Sequence, residues 1–199
     1  MGEIVLKIYP TVFNPASYIS SKIFTDFIQE LHLENKVILD MGCGSGIISI
    51  VCAKHGAKCV AVDINAECVK AAEENILSNK VSESVKVFQS DLYSKIETSQ
   101  RFDYIFFNPP YWEGEPANDF ERAFKGGVKL EVIKSFAGNS KQYLNPNGKI
   151  YLILSDQVDI RLVEKYFDES GFEFNLVKTI KKFAETFYIY ESFVKIQSN

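Results

Sequence analysis

Histidine is nearly absent from this sequence: among 199 residues only His32 and His55 carry an imidazole. Both fall at the ends of expected helices, away from the motifs described below, and are read as structural, which leaves no histidine for a general base. Cysteine is confined to Cys43, Cys52, Cys59 and Cys68. These four read as helix or strand interior and form no C-x-x-C pair, which excludes a thiolate metal cluster and leaves reduced thiols. Positive charge is not in excess either. Twenty-two Lys and Arg face 26 Asp and Glu, for a formal net charge of −4, and that balance offers no electrostatic footprint for large RNA or duplex DNA. No run of about 18 apolar residues occurs, and Met1-Gly2 opens into mixed polar sequence, so neither a membrane span nor a leader is expected and the expected compartment is the cytoplasm. Repeats, low-complexity tracts and Pro/Gly/Ser-rich linkers are missing, and a 46% hydrophobic content over 199 residues suits a single domain.

What is present is an alternation of short apolar runs with stretches of helical period, the mark of an α/β fold around a mostly parallel sheet. A short strand is expected over Ile4 to Ile8. Asn14-Pro15 reads as N-cap and first turn of a helix reaching about Leu31, with Ile19, Ile23, Phe27 and Leu31 on one face. Strands follow at Val37–Leu39, Cys59–Val62, Val85–Phe88, Tyr104–Phe107 and Ile150–Leu154. Helices are expected at Ile47–Ala53, from an Asn65 cap to about Asn79, at Val128–Tyr143, and at Val158–Ser170 with a stop at Gly171. Phe172–Val177 and Phe187–Val194 alternate like an antiparallel pair. The sum is a seven-stranded, mostly parallel Rossmann-like sheet with a C-terminal antiparallel pair and helices on both faces.

The first strand runs directly into Asp40-Met41-Gly42-Cys43-Gly44-Ser45-Gly46 and then a helix, so this loop lies at the carboxyl edge of the sheet, where open α/β folds bind ligands. Glycine at alternate positions lets a ligand reach the backbone. A dinucleotide loop would need glycine one place after Gly46, where Ile47 stands, so nicotinamide and flavin cofactors are disfavoured. An adenosyl ligand without a pyrophosphate suits the loop better. Asp63 ends the next strand about 20 residues on, where a carboxylate takes ribose hydroxyls, and Ile64 would flank the adenine. Asp91, with Leu92 beside it, follows the third strand and is placed to accept a hydrogen bond from the adenine amino group.

Strand Tyr104–Phe107 delivers Asn108-Pro109-Pro110-Tyr111 to the same edge, and this tetrapeptide suits one kind of chemistry. An amide or aniline-type nitrogen is a poor nucleophile because its lone pair is delocalised, so the protein must supply geometry and polarisation. The Asn108 side-chain carbonyl and the Pro109 main-chain carbonyl can accept both N–H bonds of an NH₂ group and aim its lone pair. Pro110 confines Pro109 to an extended conformation and both rings fix φ, so that carbonyl is set in advance. Tyr111 can stack on the planar group. Trp112, Phe120 and Phe124 are candidates either to line an apolar pocket or to pack as a lid.

With these residues in view, the sequence resembles the HemK/PrmC-type class I methyltransferases, which use S-adenosyl-L-methionine. The resemblance is carried by the loop Asp40–Gly46, Asp63, Asp91 and Asn108–Tyr111. It extends to Arg122-Ala123-Phe124-Lys125-Gly126-Gly127, similar to the family's Arg-Ala-x-x-Gly-Gly segment, and to Val12-Phe13-Asn14-Pro15-Ala16, similar to its upstream substrate-side loop. Ser17-Tyr18 stand where acidic and hydroxyl residues usually follow. The resemblance implies one domain over 1–199 with 1–34 on the substrate side, and S-adenosylmethionine held by Asp40, Gly42, Cys43, Gly44, Gly46, Asp63, Ile64, Asp91, Leu92 and Asn108. It implies catalysis by Asn108, Pro109, Pro110 and Tyr111, and no metal. On this resemblance the helical N-terminal domain of bacterial release-factor enzymes is not expected, and the length is nearer the short archaeal and eukaryotic branch. Members of that branch resemble protein glutamine or lysine methyltransferases, some of them working with a small zinc-binding activator subunit, and the resemblance implies first a protein glutamine of the release-factor type. Adenine N6 of nucleic acid, a small-molecule nitrogen, and a non-catalytic scaffold are the competing readings.

Because Ile47 blocks the dinucleotide version of the loop, S-adenosylhomocysteine should raise the melting temperature in a thermal-shift assay while NAD leaves it unchanged. Equal stabilisation by NAD would refute this reading of the loop.

Overall fold

Seven strands join in one mixed, mostly parallel sheet in this computed structural model, which describes residues 4–7, 15–112, 114–117, 121 and 124–196. They are β1 (Val37–Met41), β2 (Lys58–Asp63), β3 (Val85–Gln89), β4 (Phe102–Phe107), β5 (Leu144–Ser155), β6 (Phe172–Lys182) and β7 (Glu185–Val194), in the order β3-β2-β1-β4-β5-β7-β6. β1 pairs parallel with β2 and β2 with β3, whereas β7 runs antiparallel to both β5 and β6. The helices among the described residues are α1 (Pro15–Ile28), α2 (Ile47–Lys54), α3 (Ala66–Ser78), α4 (Glu131–Ser140) and α5 (Ile160–Glu169). Their packing divides the chain into two compact units, Met1–Glu97 with Ile105–Phe107, and Thr98–Tyr104 with Asn108–Asn199.

In the first unit, β1 and β2 are buried over almost their whole length, as the near-continuous apolar runs Val-Ile-Leu and Cys-Val-Ala-Val require of parallel strands covered on both faces. α3 begins where the Asn65 side chain accepts the backbone N–H of Glu67 at 2.9 Å. α2 has no such local cap: its N-terminal neighbour is Gly46, in the left-handed region at φ 78°. Glycine is needed there twice over, because a Cβ on it would also lie 3.1 Å from the Cβ of Ala72 on α3.

The second unit is held by an aromatic core. Phe167 of α5 lies 4.8 Å between centroids from Phe174 and 5.8 Å from Phe172, and Phe174 stacks on Tyr190 at 4.4 Å. Phe136 of α4 completes the set at 6.3 Å from Phe167. β6 carries a bulge between Leu176 and Lys178, where its register against β7 shifts by one residue.

Apart from the expected N-terminal strand, the elements match the sequence expectation in kind and order, and depart from it at their ends. Residues 4–7 form no strand; they run beside α3, bonded through Val5 and Lys7 to Asn79 and Asn75, while Ile8 lies outside the described residues. The expected cap Asn14 is likewise outside them, and α1 stops at Ile28 rather than Leu31. The helix expected over Val128–Tyr143 is shortened to Glu131–Ser140 and ends in a 3₁₀ turn at Lys141–Tyr143. Leu130 just ahead of it sits in the left-handed region at φ 54°, which no helix can pass through.

Phe167 is fully buried, so Phe167→Ala should lower the unfolding free energy by about 3–5 kcal/mol. Urea denaturation of the variant would show this, and a loss below about 1 kcal/mol would contradict the central place given to this ring.

Candidate functional site

Three strand ends are stitched together in the first unit. The Asp63 carboxylate, at the end of β2, accepts the N–H of Gly44 on Oδ2 and that of Asn65 on Oδ1, both at 2.9 Å. The backbone adds Cys43 N–H to the Val62 carbonyl and Ser90 N–H to the Asp63 carbonyl, each at 2.9 Å. The glycine loop after β1, Asp63 after β2 and Ser90 after β3 therefore share one hydrogen-bonded edge. Ile64 N–H also bonds to this carboxylate, whose roughly four acceptor sites leave room for a further donor such as a ribose hydroxyl. Burial raises the Asp63 pKa, against the lowering effect of its backbone hydrogen bonds.

Asp40, also expected at the cofactor, is fully buried beneath the loop. Its Oδ2 accepts the Ser49 N–H at 3.1 Å and the Ser49 hydroxyl at 2.7 Å. Ser49 N–H is one of the donors that the start of α2 leaves unpaired, so a strand carboxylate supplies the cap that Gly46 cannot. Its other oxygen has no hydrogen-bond partner among the described residues. Desolvation dominates and pushes the Asp40 carboxyl up to about 7, with the Ser49 bonds opposing it. The Cys43 thiol is buried and held well above its ordinary value, first by desolvation and then by the Asp63 and Asp40 carboxylates, so this residue serves the loop through its backbone.

The loop fits an adenosyl ligand in one testable respect: a Cβ built on Gly44 meets nothing within 4 Å, so its outer face is open. Ile64 is half-buried, and its carbonyl receives the Gln89 side-chain amide at 2.8 Å. Asp91 is exposed, and Leu92 beside it is held at φ 45°. The brace for that strained residue is Ser90, buried, whose hydroxyl donates to the Leu92 carbonyl at 2.8 Å and accepts the Lys95 N–H at 3.1 Å. Ser90 and Ser49 were not singled out from sequence, since a lone serine carries no pattern. Phe107, the last residue of β4, lies against the loop, its ring 3.4 Å from a Cβ placed on Gly42. Asn108 is the next residue in the chain.

In the second unit, Pro109 is buried and Asn108, Pro110 and Tyr111 are half-buried. The Tyr111 hydroxyl is hydrogen-bonded to the Ser155 side chain at the end of β5, which orients the ring; burial raises its pKa, and the Glu185 and Asp156 carboxylates raise it further. Beyond Tyr111 the chain pairs with the segment that the sequence likened to Arg-Ala-x-x-Gly-Gly. Trp112 N–H donates to the Phe124 carbonyl at 2.7 Å, Gly126 N–H to the Trp112 carbonyl at 2.9 Å, and Gly114 N–H to the Gly127 carbonyl at 3.1 Å. Gly126 comes so close that a Cβ on it would collide with the Pro110 carbonyl oxygen. Glu121 anchors the same segment, its Oε2 accepting both the Lys125 ammonium at 2.8 Å and the Ala117 N–H at 2.9 Å. Trp112 is 42% exposed and tilts onto Phe124 at 5.6 Å. Phe120, Arg122 and Ala123 lie outside the described residues, as do Val12–Asn14. Among the described residues no group of three or more His, Cys, Asp or Glu is placed to hold a metal ion, and no helix is long and apolar enough to cross a membrane.

Residues 9–190 match the family model described as the methyltransferase small domain. A protein of Methanocaldococcus jannaschii, named as a candidate protein N5-glutamine methyltransferase, is 38% identical over 160 residues, which is 76% of either chain. The release factor glutamine methyltransferase of Rhodopirellula baltica is 34% identical over 133 residues, 61% of this chain and 45% of that protein, so this chain spans under half of the latter's length. Among solved structures, the E. cuniculi Mtq2–Trm112 complex, described as responsible for methylation of the eRF1 translation termination factor, superposes with a TM-score of 0.70 at 22% identity, covering 92% of this chain and 98% of that one.

The buried Asp40 makes stability depend on pH. Its folded pKa lies near 7 against an ordinary 3.8, so between these values the folded state binds the extra proton and stability falls as pH rises. At about 1.4 kcal/mol per unit the full effect is on the order of 4 kcal/mol, lost between pH 4 and 7. Asp40→Asn should remove that slope, so urea denaturation from pH 4 to 8 should show the variant gaining on the wild type toward neutrality. Parallel curves would rule out a raised Asp40.

Proposed function

The chain belongs to the methyltransferase small domain family and is an S-adenosylmethionine-dependent methyltransferase, and from that premise we propose that it methylates the side-chain amide nitrogen of a glutamine in a protein of the release-factor type. The observation that carries the reading is the continuity at Phe107–Asn108: the residue packed on Gly42 of the donor loop is followed at once by Asn-Pro-Pro-Tyr, a sequence built to hold a planar NH₂ group. The names of the two relatives, one glutamine methyltransferase and one candidate for it, support glutamine as the acceptor.

S-adenosylmethionine supplies a methyl group made electrophilic by its sulfonium. In this reading the backbone of Gly42, Cys43, Gly44 and Gly46 holds the methionine part, with Asp40 fixing the loop from beneath. Asp63 accepts the ribose hydroxyls, and Ile64, Asp91 and Leu92 border the adenine. The Asn108 amide oxygen and the Pro109 carbonyl accept the two N–H bonds of the acceptor, which directs its lone pair away from the amide plane. Those oxygens also stabilise the positive charge that develops as the nitrogen pyramidalises. Tyr111 stacks on the acceptor plane with its ring set by Ser155. Gly126, by reaching the Pro110 carbonyl, keeps the tetrapeptide from relaxing. A small partner subunit belongs to the same proposal, supported by the neighbouring structure's being a two-protein complex.

Asn108→Ala removes one of the two acceptors and leaves the glycine loop, Asp63 and Asp91 intact. The rate of single-turnover methyl transfer to a protein carrying a Gly-Gly-Gln loop should fall about 10²- to 10³-fold, with donor affinity by calorimetry little changed. A near-wild-type rate would defeat the nitrogen-methylation reading. Transfer of label to nucleic acid rather than protein would replace glutamine as the acceptor.

A further inference from the structure

Asn75 on α3 is fully buried, and its amide group is used on every side. Oδ1 accepts the Lys7 N–H at 2.7 Å, while Nδ2 donates to the Lys7 carbonyl at 3.1 Å and to the Ser45 carbonyl at 3.0 Å. One turn later Asn79 repeats the contact, accepting the Val5 N–H at 3.2 Å and donating to the Val5 carbonyl at 2.7 Å. The fit follows from two repeat lengths. Four residues of helix advance about 6 Å and two residues of extended chain about 6.6 Å, so asparagines at i and i+4 present the hydrogen-bond pattern of a neighbouring strand to alternate residues of the segment. The same Asn75 Nδ2 holds Ser45, which stands between Gly44, whose N–H rests on Asp63, and Gly46, which opens α2.

We propose that Asn75 is a positioning residue that couples the docking of residues 4–7 to the affinity of the glycine loop for S-adenosylmethionine. The proposal rests on reading that loop as the donor site. If the Lys7 backbone withdraws, Asn75 is left with an unpaired acceptor and an unpaired N–H in a buried place. The amide then turns to recover partners, and its hold on Ser45 goes with it. The Gly44–Asp63 hydrogen bond, one residue away, loses the constraint that sets its geometry. Linkage requires the reverse as well: a donor analogue bound at the loop must tighten the segment by the same factor.

Asn75 itself is a poor first target because its replacement threatens α3, so the test changes the far end of the contact. Lys7→Pro deletes the N–H given to Asn75 and touches nothing in the loop. Lys7→Gln is its control, keeping that N–H while removing the exposed ion pair to Glu74 at 2.7 Å. Calorimetry with S-adenosylhomocysteine should show binding weakened roughly five- to tenfold by Lys7→Pro and unchanged within about twofold by Lys7→Gln. In wild type, hydrogen exchange of the Val5 and Lys7 amides should slow on adding S-adenosylhomocysteine. Lys7→Pro binding as tightly as wild type, or exchange at Val5 and Lys7 indifferent to the ligand, overturns the coupling and leaves the donor site standing. Failure of the wild type to bind S-adenosylhomocysteine overturns the donor reading, and the coupling with it.

Discussion

A carboxylate that holds two separate stretches of backbone organises the glycine-loop edge of the first unit. Asp63 holds the Gly44 N–H on one oxygen and the Asn65 N–H on the other. The first shapes a loop whose glycines make no side-chain contacts of their own, and the second sets the start of α3. A neutral side chain of similar size would satisfy one of those donors and repel or leave the other. The same group thus decides both the path of the loop and where the next helix begins. The helix in turn carries Asn75, which grips the loop from its other side.

Buried acids recur at this edge, and their costs are handled differently. Asp40 caps α2 from a strand, a long-range substitute for the local cap that a left-handed Gly46 rules out. It is wholly removed from water with one oxygen lacking a partner among the described residues, which is why its proton is held to near neutrality. Asp63 is half-buried and bonded at both oxygens. The two carboxylates lie close enough that Asp63 adds to the upward pressure on Asp40. A cationic ligand at the loop relieves that pressure, whereas a neutral or anionic one does not.

At the Asn108–Tyr111 segment the constraint is steric rather than electrostatic. Two prolines fix the direction of the Asn108–Tyr111 segment, and a close approach by Gly126 prevents its carbonyls from swinging. The partnership between Trp112–Gly114 and Phe124–Gly127 is made of main-chain hydrogen bonds, so it tolerates change in the side chains that flank it. Tyr111 is the exception, since its orientation depends on a side-chain bond to Ser155.

Element types, their order and the residues of the two motifs were legible in the sequence because they rest on local rules: apolar period, glycine at positive φ, proline at fixed φ, asparagine as a cap. The Asn65 cap and the Gly171 stop are found where those rules place them. Three things were not legible, because none of them follows from a local rule of apolar period, glycine, proline or capping. The N-terminal run that alternates like a strand lies beside a helix instead, because Asn75 and Asn79 offer it the hydrogen bonds that a strand would. The helix after Gly127 starts late because Leu130 is held in a left-handed conformation that apolar spacing does not reveal. Asp40 reads in sequence as a ligand to the cofactor, and the structure adds a contact that the sequence does not announce, one carboxylate oxygen holding Ser49, nine residues on. Sequence alone determined which groups stand at the strand ends, since chain order and strand length put them there. Only the tertiary structure decided what those groups bond to, because a buried donor or acceptor takes whichever partner packing brings within reach, and packing is not a local property of the chain.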